Sequence, residues 1–297
     1  MVQMGSSKQL LFYIVAGLVI IPADLYAQNT SQASQFKSFA AQSAGPEMIQ
    51  ASSVAQSEMP KSSIEGMLEK PIMQQRSGLP SSELSPNELA VQLIFQGDKV
   101  QGLQQLELAH QGDPTNSTVL FNLAGYYLSE KDYLSALSSI DKALAISPDD
   151  LQFLKRRGDC LLPLKKFSEA AETYKKITQL SPEQGEAFCK LGALYGLLGR
   201  WQESEESLMQ ARTLVEDEPS LLNNLASARL MMKKYKEAIE VLELAQQRWP
   251  TSDREITLGV ACEGLGDRQL ALSHYENAKR LGTSNKHIET NIERVRK

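Results

Sequence analysis

The sequence is poor in aromatic residues and carries no strong excess of charge. Aromatic residues make up 6% of its 297 residues, whereas leucine and alanine are frequent, which favours helices over sheets. The net charge of −5 gives the chain no basic character, so we expect no nucleic-acid partner. The three cysteines, Cys160, Cys189 and Cys262, form no CxxC pair and lack metal-ligand spacing. We expect them to be small apolar core residues.

Motifs of known catalytic sites are also missing. The sequence contains no HExxH, GxSxG, GxxxxGK[ST] or GxGxxG. The histidines His110, His274 and His287 lie in different segments without a partner carboxylate or cysteine, so we expect each of them on a helix surface. We therefore predict that the protein is not an enzyme and uses neither a cofactor nor a metal.

In the N-terminal segment, 1–27, basic, apolar and small residues follow one another as they do in a secretory signal peptide. Lys8 precedes an uncharged run, Leu10 to Ile21, and a stretch of small residues ends at Ala27. Because about 20 apolar residues are needed to span a bilayer, this run is short for a permanent anchor. We expect this segment to export the protein to the periplasm, the envelope or the extracellular space. The alternative is an uncleaved N-terminal membrane anchor, and we expect membrane association only through this segment.

A segment rich in glutamine and serine follows, at residues 28–82. It has too little apolar surface to offset its ordering entropy, so we predict a disordered linker. A patch formed by Ile64, Met67, Leu68 and Met73 is its one docking candidate. If this patch fills a binding groove as an internal pseudo-ligand, deletion of the linker raises the affinity for the partner.

From residue 83 onwards, prolines and alanines recur at a fixed interval. Pro114, Pro148 and Pro182 are equally spaced, and Pro250 lies two of these intervals beyond Pro182. Proline disfavours helix in the residue before it, so each of these positions predicts the end of a helix. The recurring alanines are Ala109, Ala143, Ala211 and Ala245, and separately Ala136, Ala170 and Ala238.

Within each interval the apolar residues follow one motif. In residues 117–150 the motif reads Leu120, Leu123-Ala124, Tyr127, Ala136, Ile140, Ala143 and Pro148. This motif and its period of about 34 residues resemble the tetratricopeptide repeat family. The resemblance implies an all-α, right-handed superhelical solenoid of antiparallel helix pairs after a disordered N-terminal segment. The array is expected at 83–285 as six repeats, 83–116, 117–150, 151–184, 185–218, 219–251 and 252–285.

Small residues explain physically how such helices pack. Gly158 and Gly192 in first helices and Ala170 in a second helix let two backbones approach closely. One repeat cannot cover its own apolar faces, so neighbouring repeats stack and share a core. Residues 286–297 carry Ile288, Ile292 and Val295 on one helical face and predict a capping helix over the last repeat.

The resemblance also implies that the first helices line a concave, peptide-binding face. One inner position per repeat gives Glu88, Asn122, Arg156, Lys190, Asn224 and Thr257, and Lys155 and Asn223 are adjacent to this row. Asparagine amides can pair with both the N–H and the C=O of an extended peptide, and Arg and Lys can hold a carboxylate. The predicted peptide-binding residues are Asn122, Lys155, Arg156, Lys190, Asn223 and Asn224.

Two function classes stay open. The first is an exported adaptor that binds a peptide or a disordered segment of a partner protein and supports assembly of an envelope or secretion complex. The second is a structural subunit that uses its outer face or its ends, without a peptide ligand. Some family members clamp the C-terminal carboxylate of chaperone tails. Asp159 and Lys190 stand here at asparagine positions of that clamp, so we do not expect it.

Overall fold

The computed structural model describes residues 84–285 and 287–297, together with one short strand pair near the N-terminus. In this pair β1 (Leu11–Phe12) runs antiparallel to β2 (Ile21–Pro22), with Leu11 opposite Pro22 and Phe12 opposite Ile21. Apart from these four residues, the predicted signal peptide 1–27 lies outside the described residues. The predicted linker 28–82 with its apolar patch lies outside them as well.

All elements of the described range from residue 84 are α-helices. They are α1 (Pro86–Gln96), α2 (Lys99–Gly112), α3 (Ser117–Ser129), α4 (Tyr133–Ile146), α5 (Leu151–Leu161), α6 (Phe167–Leu180), α7 (Gly185–Leu197), α8 (Trp201–Leu214), α9 (Pro219–Met231), α10 (Tyr235–Arg248), α11 (Ser252–Leu265), α12 (Arg268–Arg280) and α13 (Ile288–Arg296). Each of the six intervals predicted as repeats contains one helix pair. The predicted all-α class, built from antiparallel helix pairs, is confirmed.

The turn inside every helix pair contains one residue in the left-handed region. These residues are Gly97, Lys131, Lys165, Gly199, Lys233 and Gly266, with φ between 57° and 93°. The first five are separated from one another by one repeat period each, so the same turn recurs in successive repeats. Lysine is an unexpected residue here, because a Cβ atom makes this conformation costly.

Residues Ser53–Pro182 belong to one compact unit, whose described part contains α1 to α6. Its core at the start of the array combines Ala90, Ile94 and Leu106 with Val119 and Leu123, so α3 packs against the helix pair before it. The backbones of α5 and α6 approach closely at Gly158. A Cβ atom there would lie 2.6 Å from the ring of Tyr174, which confirms the predicted role of this glycine.

Residues Glu183–Lys297 belong to the other unit, and this stretch contains α7 to α13. Leu208, Leu222 and Leu242 are buried in one shared cluster between successive helix pairs. The capping residues predicted on one face of α13, among them Ile292 and Val295, pack with Tyr275 of α12. No described helix is long and apolar enough to cross a bilayer.

Candidate peptide-binding surface

Asn122 on α3 lies in the joint between two successive first helices. Its side chain is fully buried, and its Nδ2 atom donates a hydrogen bond of 2.9 Å to Oδ1 of Asn87 on α1. A ligand could reach this amide only by displacing a contact between repeats. The structure therefore places Asn122 inside the array, although the sequence placed it on an open inner face.

Arg156 on α5 occupies the corresponding joint one repeat later. Its side chain is 6% exposed, and its Cζ atom lies 4.1 Å from the ring centroid of Phe121 on α3. The rings of Phe121 and Phe153 are 5.5 Å apart, so the guanidinium sits beside an aromatic pair. Burial lowers the pKa of Arg156 to about 10, which still leaves the group charged at neutral pH. Its neighbour Lys155 is half-buried.

In the second unit, Asn223 on α9 is also engaged between helices. It is buried, and its Oδ1 atom accepts a hydrogen bond of 3.1 Å from Nε of Arg254 on α11. Arg254 in turn donates to the main-chain oxygens of Ala245 and Trp249 at the end of α10. This arginine thus ties three helices together, and Asn223 serves as one of its acceptors.

The remaining two predicted residues have a different environment. The Lys190 side chain on α7 is 37% exposed, and its Nζ atom lies 3.4 Å from Oε1 of Glu186 on the same helix. Asn224 on α9 is half-buried, and its Oδ1 atom is shielded from solvent without a hydrogen-bond partner among the described residues. Shielded polar atoms are nearly always hydrogen-bonded, so this acceptor is unusual.

Other residues of the predicted row have local structural bonds. Glu88 accepts hydrogen bonds from the N–H and the hydroxyl of Ser85, at 2.9 and 2.8 Å, and so caps α1. The hydroxyl of Thr257 donates to the carbonyl oxygen of Asp253 at 2.9 Å. Asp159, which lies outside this row and stands at an asparagine position of the chaperone-tail clamp, accepts a hydrogen bond of 3.2 Å from the hydroxyl of Tyr174. The row is therefore not a uniform set of open polar side chains.

The sequence interpretation missed the partners that bury these residues. Asn87 and Asn122 are 35 residues apart, which is one repeat plus one residue, and Phe121 and Arg156 have the same separation. That spacing is the signal that could have revealed the contacts between successive first helices. The peptide-binding role of the six predicted residues stays a prediction, with Lys155, Lys190 and Asn224 as the three that are not fully enclosed.

The prediction that His274 lies without a carboxylate partner is wrong. Its Nδ1 atom is 2.8 Å from Oε2 of Glu255, and both side chains are largely buried. Glu255 also accepts a hydrogen bond of 2.9 Å from Nε2 of Gln246. The two partners lie 19 residues apart on α11 and α12, where only the pairing of these helices brings them together. The described residues contain no group of three or more side chains suited to hold a metal ion.

Comparison with known proteins supports the same architecture. The family model described as Tetratricopeptide repeat matches residues 121–184 and 189–253. The human Protein O-mannosyl-transferase TMTC1 is 28% identical over 122 residues, which is 40% of this chain and 14% of that protein. So small a share of a longer protein says nothing about its transferase activity here. Tetratricopeptide-repeat scaffolds are generally not enzymes.

Two solved structures show the same fold. One is YrrB, described as a TPR protein with an unusual peptide-binding site. It has a TM-score of 0.58 and 18% identity, covering 64% of this chain and 97% of that one. The other is PilW, described as a widely conserved type IV pilus biogenesis factor. It has a TM-score of 0.52 and 20% identity, covering 69% and 96%. Two parts of this chain, 121–184 and 189–253, thus match the tetratricopeptide repeat model, and its described helix pairs have the fold of these two solved structures.

Proposed function

We propose that this protein is an exported adaptor that binds an extended segment of a partner protein along α7 and α9. The observation that carries the proposal is the Oδ1 atom of Asn224, which is shielded from solvent and has no partner among the described residues. An unpaired buried acceptor costs about 1–3 kcal/mol, and rotation of this half-buried side chain would present the oxygen to a main-chain N–H of an extended peptide. Asparagine suits this role because its amide can accept and donate to one peptide unit.

Lys190 supplies a second contact of matching chemistry, one repeat before Asn224 on the preceding first helix. One partner of Lys190, Glu186, is 74% exposed, and such a surface pair contributes little to stability. A carboxylate on the bound segment can therefore replace Glu186 at little cost. The preferred ligand is an extended peptide with an acidic side chain beside Lys190.

Export and a role in envelope assembly rest on two separate supports. The order of residues 1–27 is that of a secretory signal peptide. PilW, a pilus biogenesis factor, and YrrB, a TPR protein with a peptide-binding site, have the same fold at low identity. These names describe those proteins, and they make a peptide-binding envelope adaptor a reasonable function to test. We expect neither a nucleic-acid partner nor a cofactor.

The test compares the full chain with Asn224→Ala and Lys190→Ala as baits in affinity purification from envelope extracts. The segment of the captured partner is then titrated against each variant by calorimetry. We expect each substitution to weaken binding at least tenfold without changing the circular dichroism spectrum. Lys236→Ala on the exposed side of α10 is the matched control and should bind as the wild type does. Unchanged affinity in both variants would rule out this surface as the binding site.

The second candidate function, a structural subunit that uses its outer face, is favoured by one observation. Val100 on α2 and Leu134 on α4 occupy the same position in adjacent repeats and are 68% and 66% exposed. Val100→Ser together with Leu134→Ser would release the partner in this case, while Asn224→Ala would retain it. The same purification therefore distinguishes the two candidates.

A further inference from the structure

A cleft of about 540 Å³ lies between α12 and the last helix of the chain, α13. Its wall carries charged side chains from both helices, together with the apolar side chain of Ile292. The charged residues are Glu276, Lys279 and Arg280 on α12 and Glu289 and Arg296 on α13. None of them lies on α7 or α9, so the cleft and the surface proposed above are built by different helices.

Both glutamates of the cleft are already paired with a cation of the other helix. Nζ of Lys279 lies 2.6 Å from Oε1 of Glu289, and Nη2 of Arg296 lies 2.8 Å from Oε1 of Glu276. All four side chains are at least 47% exposed, and such surface pairs contribute little to stability. The two glutamates are thus neutralised, and either cation can turn towards a carboxylate that enters the cleft.

Arg280 is the remaining cation, and it has no carboxylate partner among the described residues. Its Nη2 atom donates a hydrogen bond to Oδ1 of Asn277 on the same helix, and the residue is exposed. The equivalent positions of the other five second helices hold the uncharged residues Gln111, Ala145, Gln179, Thr213 and Gln247. The helix pairs therefore form without a cation here, and the guanidinium gives the cleft an unbalanced positive charge.

The end of the chain is basic, in contrast to the protein as a whole. Residues 279–297 contain six lysines and arginines and two glutamates, whereas the net charge of the chain is −5. The helix dipole favours cations at helix C-termini, but α4 and α6 have no basic residue in their last turn. The dipole alone therefore does not account for this cluster, and the field of the cluster favours an anionic ligand.

We propose that the cleft binds an acidic segment of a partner protein. The planar guanidinium of Arg280 can hold one carboxylate through two parallel hydrogen bonds. Lys279 or Arg296 can exchange its glutamate for a second carboxylate of the same segment, at little cost because these pairs are exposed. The recessed shape, with Ile292 in the wall, suits the side chains of a peptide better than the flat surface of a membrane. The inference does not depend on the ligand proposed for α7 and α9.

The test uses a fluorescein-labelled peptide of four Glu-Ser repeats, and a control peptide with Gln in place of Glu. Lys190 also attracts acidic side chains, so the full chain with Lys190→Ala is the reference protein, and fluorescence anisotropy gives the Kd. Adding Arg280→Gln should weaken binding of the Glu peptide at least tenfold. Glutamine occupies the equivalent position in three other repeats, so we expect an unchanged circular dichroism spectrum. The matched control, Arg268→Gln, removes the same charge from the other end of α12, outside the cleft, and should change the Kd less than twofold.

Several outcomes would overturn the proposal. Equal binding of the Gln peptide, or equal losses in the two arginine variants, would mean that the cleft does not recognise carboxylates. Loss of all binding with Lys190→Ala alone would locate the acidic ligand on α7, which supports the proposed function and not this inference. If the Glu peptide does not bind, but Arg280→Gln abolishes binding to vesicles of phosphatidylserine and phosphatidylcholine, the cleft faces a membrane instead. A dimeric molar mass in light scattering that Arg280→Gln reduces to that of the monomer would assign the cleft to a second copy.

Discussion

The guanidinium of Arg156 lies over the ring of Phe121, with 4.1 Å between its Cζ atom and the ring centroid. The two residues belong to successive first helices, α5 and α3, and both are buried. A cation on an aromatic face contributes about 2 kcal/mol or more when it is desolvated. A residue type that suggests ligand binding in the sequence therefore joins two repeats in the structure.

We expect Arg156→Ala to lower the free energy of unfolding by about 1–3 kcal/mol, because it removes the cation and its packing against Phe121. Urea denaturation of the single variants Arg156→Ala and Phe121→Leu and of the double variant measures their coupling. A coupling of about 0.5 kcal/mol or more is expected for residues in contact. Lys155→Ala, on the half-buried neighbour, is the control and should change stability by less than about 0.5 kcal/mol. If the changes in unfolding free energy of the two single variants simply added up in the double variant, Arg156 and Phe121 would not stabilise each other across the two repeats.

Replacing the three lysines that lie in the left-handed backbone region should raise the stability of the protein. Lys131, Lys165 and Lys233 have φ values of 61°, 57° and 60°, where equivalent turns carry glycine. Each Lys→Gly substitution should stabilise the protein by about 0.5–1 kcal/mol, because the strain that is relieved exceeds the added entropy of the unfolded chain. Thermal and urea denaturation provide the measurement. Gly199→Ala, with φ of 72°, should destabilise it. A loss of stability in all three lysine variants would show that these side chains have a role beyond the turn.

The repeat period was sufficient to predict the helix pairs, because proline and small residues act locally on backbone geometry and on the closeness of two helices. The candidate site was much less predictable. The sequence pattern does not distinguish a polar side chain that is partly exposed to solvent, such as Lys190, from one that is buried against a neighbouring repeat, such as Asn122. Which of these occurs depends on a residue one repeat away, such as Asn87. The His274–Glu255 contact was missed for the same reason.

Close packing at Gly158 predicts a marked cost for the smallest possible side chain. A Cβ atom at this position would lie 2.6 to 2.7 Å from ring atoms of Tyr174 and 2.8 Å from its hydroxyl oxygen, and this tyrosine is itself buried. We expect Gly158→Ala to destabilise the protein by about 1–3 kcal/mol, because overpacking outweighs the better helix propensity of alanine. Gly112→Ala is the matched control, since a Cβ atom there meets nothing within 4 Å. Gly158→Ala should lower the urea midpoint, whereas Gly112→Ala should raise it or leave it unchanged. A lower midpoint in both variants would contradict the packing argument.

An ion cluster in the second unit predicts a pH dependence of stability. Glu205 on α8 accepts hydrogen bonds from Nε of Arg229 at 2.9 Å and Nζ of Lys234 at 2.5 Å. Burial alone would raise the pKa of Glu205, but these two cations outweigh it and hold the pKa below its ordinary 4.5. The ionised carboxylate therefore stabilises the folded state above that ordinary value. This contribution is lost as the pH falls from there through the lower pKa of the folded protein.

Glu205→Gln tests this dependence. At pH 7 we expect this substitution to lower the free energy of unfolding by about 1–3 kcal/mol, because Arg229 and Lys234 lose their charged hydrogen-bond acceptor. The difference from the wild type should shrink as the pH is lowered below 4.5 through the lower pKa of the folded protein, because the wild-type carboxyl then becomes protonated as well. Glu206→Gln, one residue along on the exposed side of α8, should differ from the wild type by less than about 0.5 kcal/mol at every pH. If the Glu205→Gln variant were less stable than the wild type by the same amount at every pH from 7 down into the acid transition, the side chain would contribute through its shape and not through its charge.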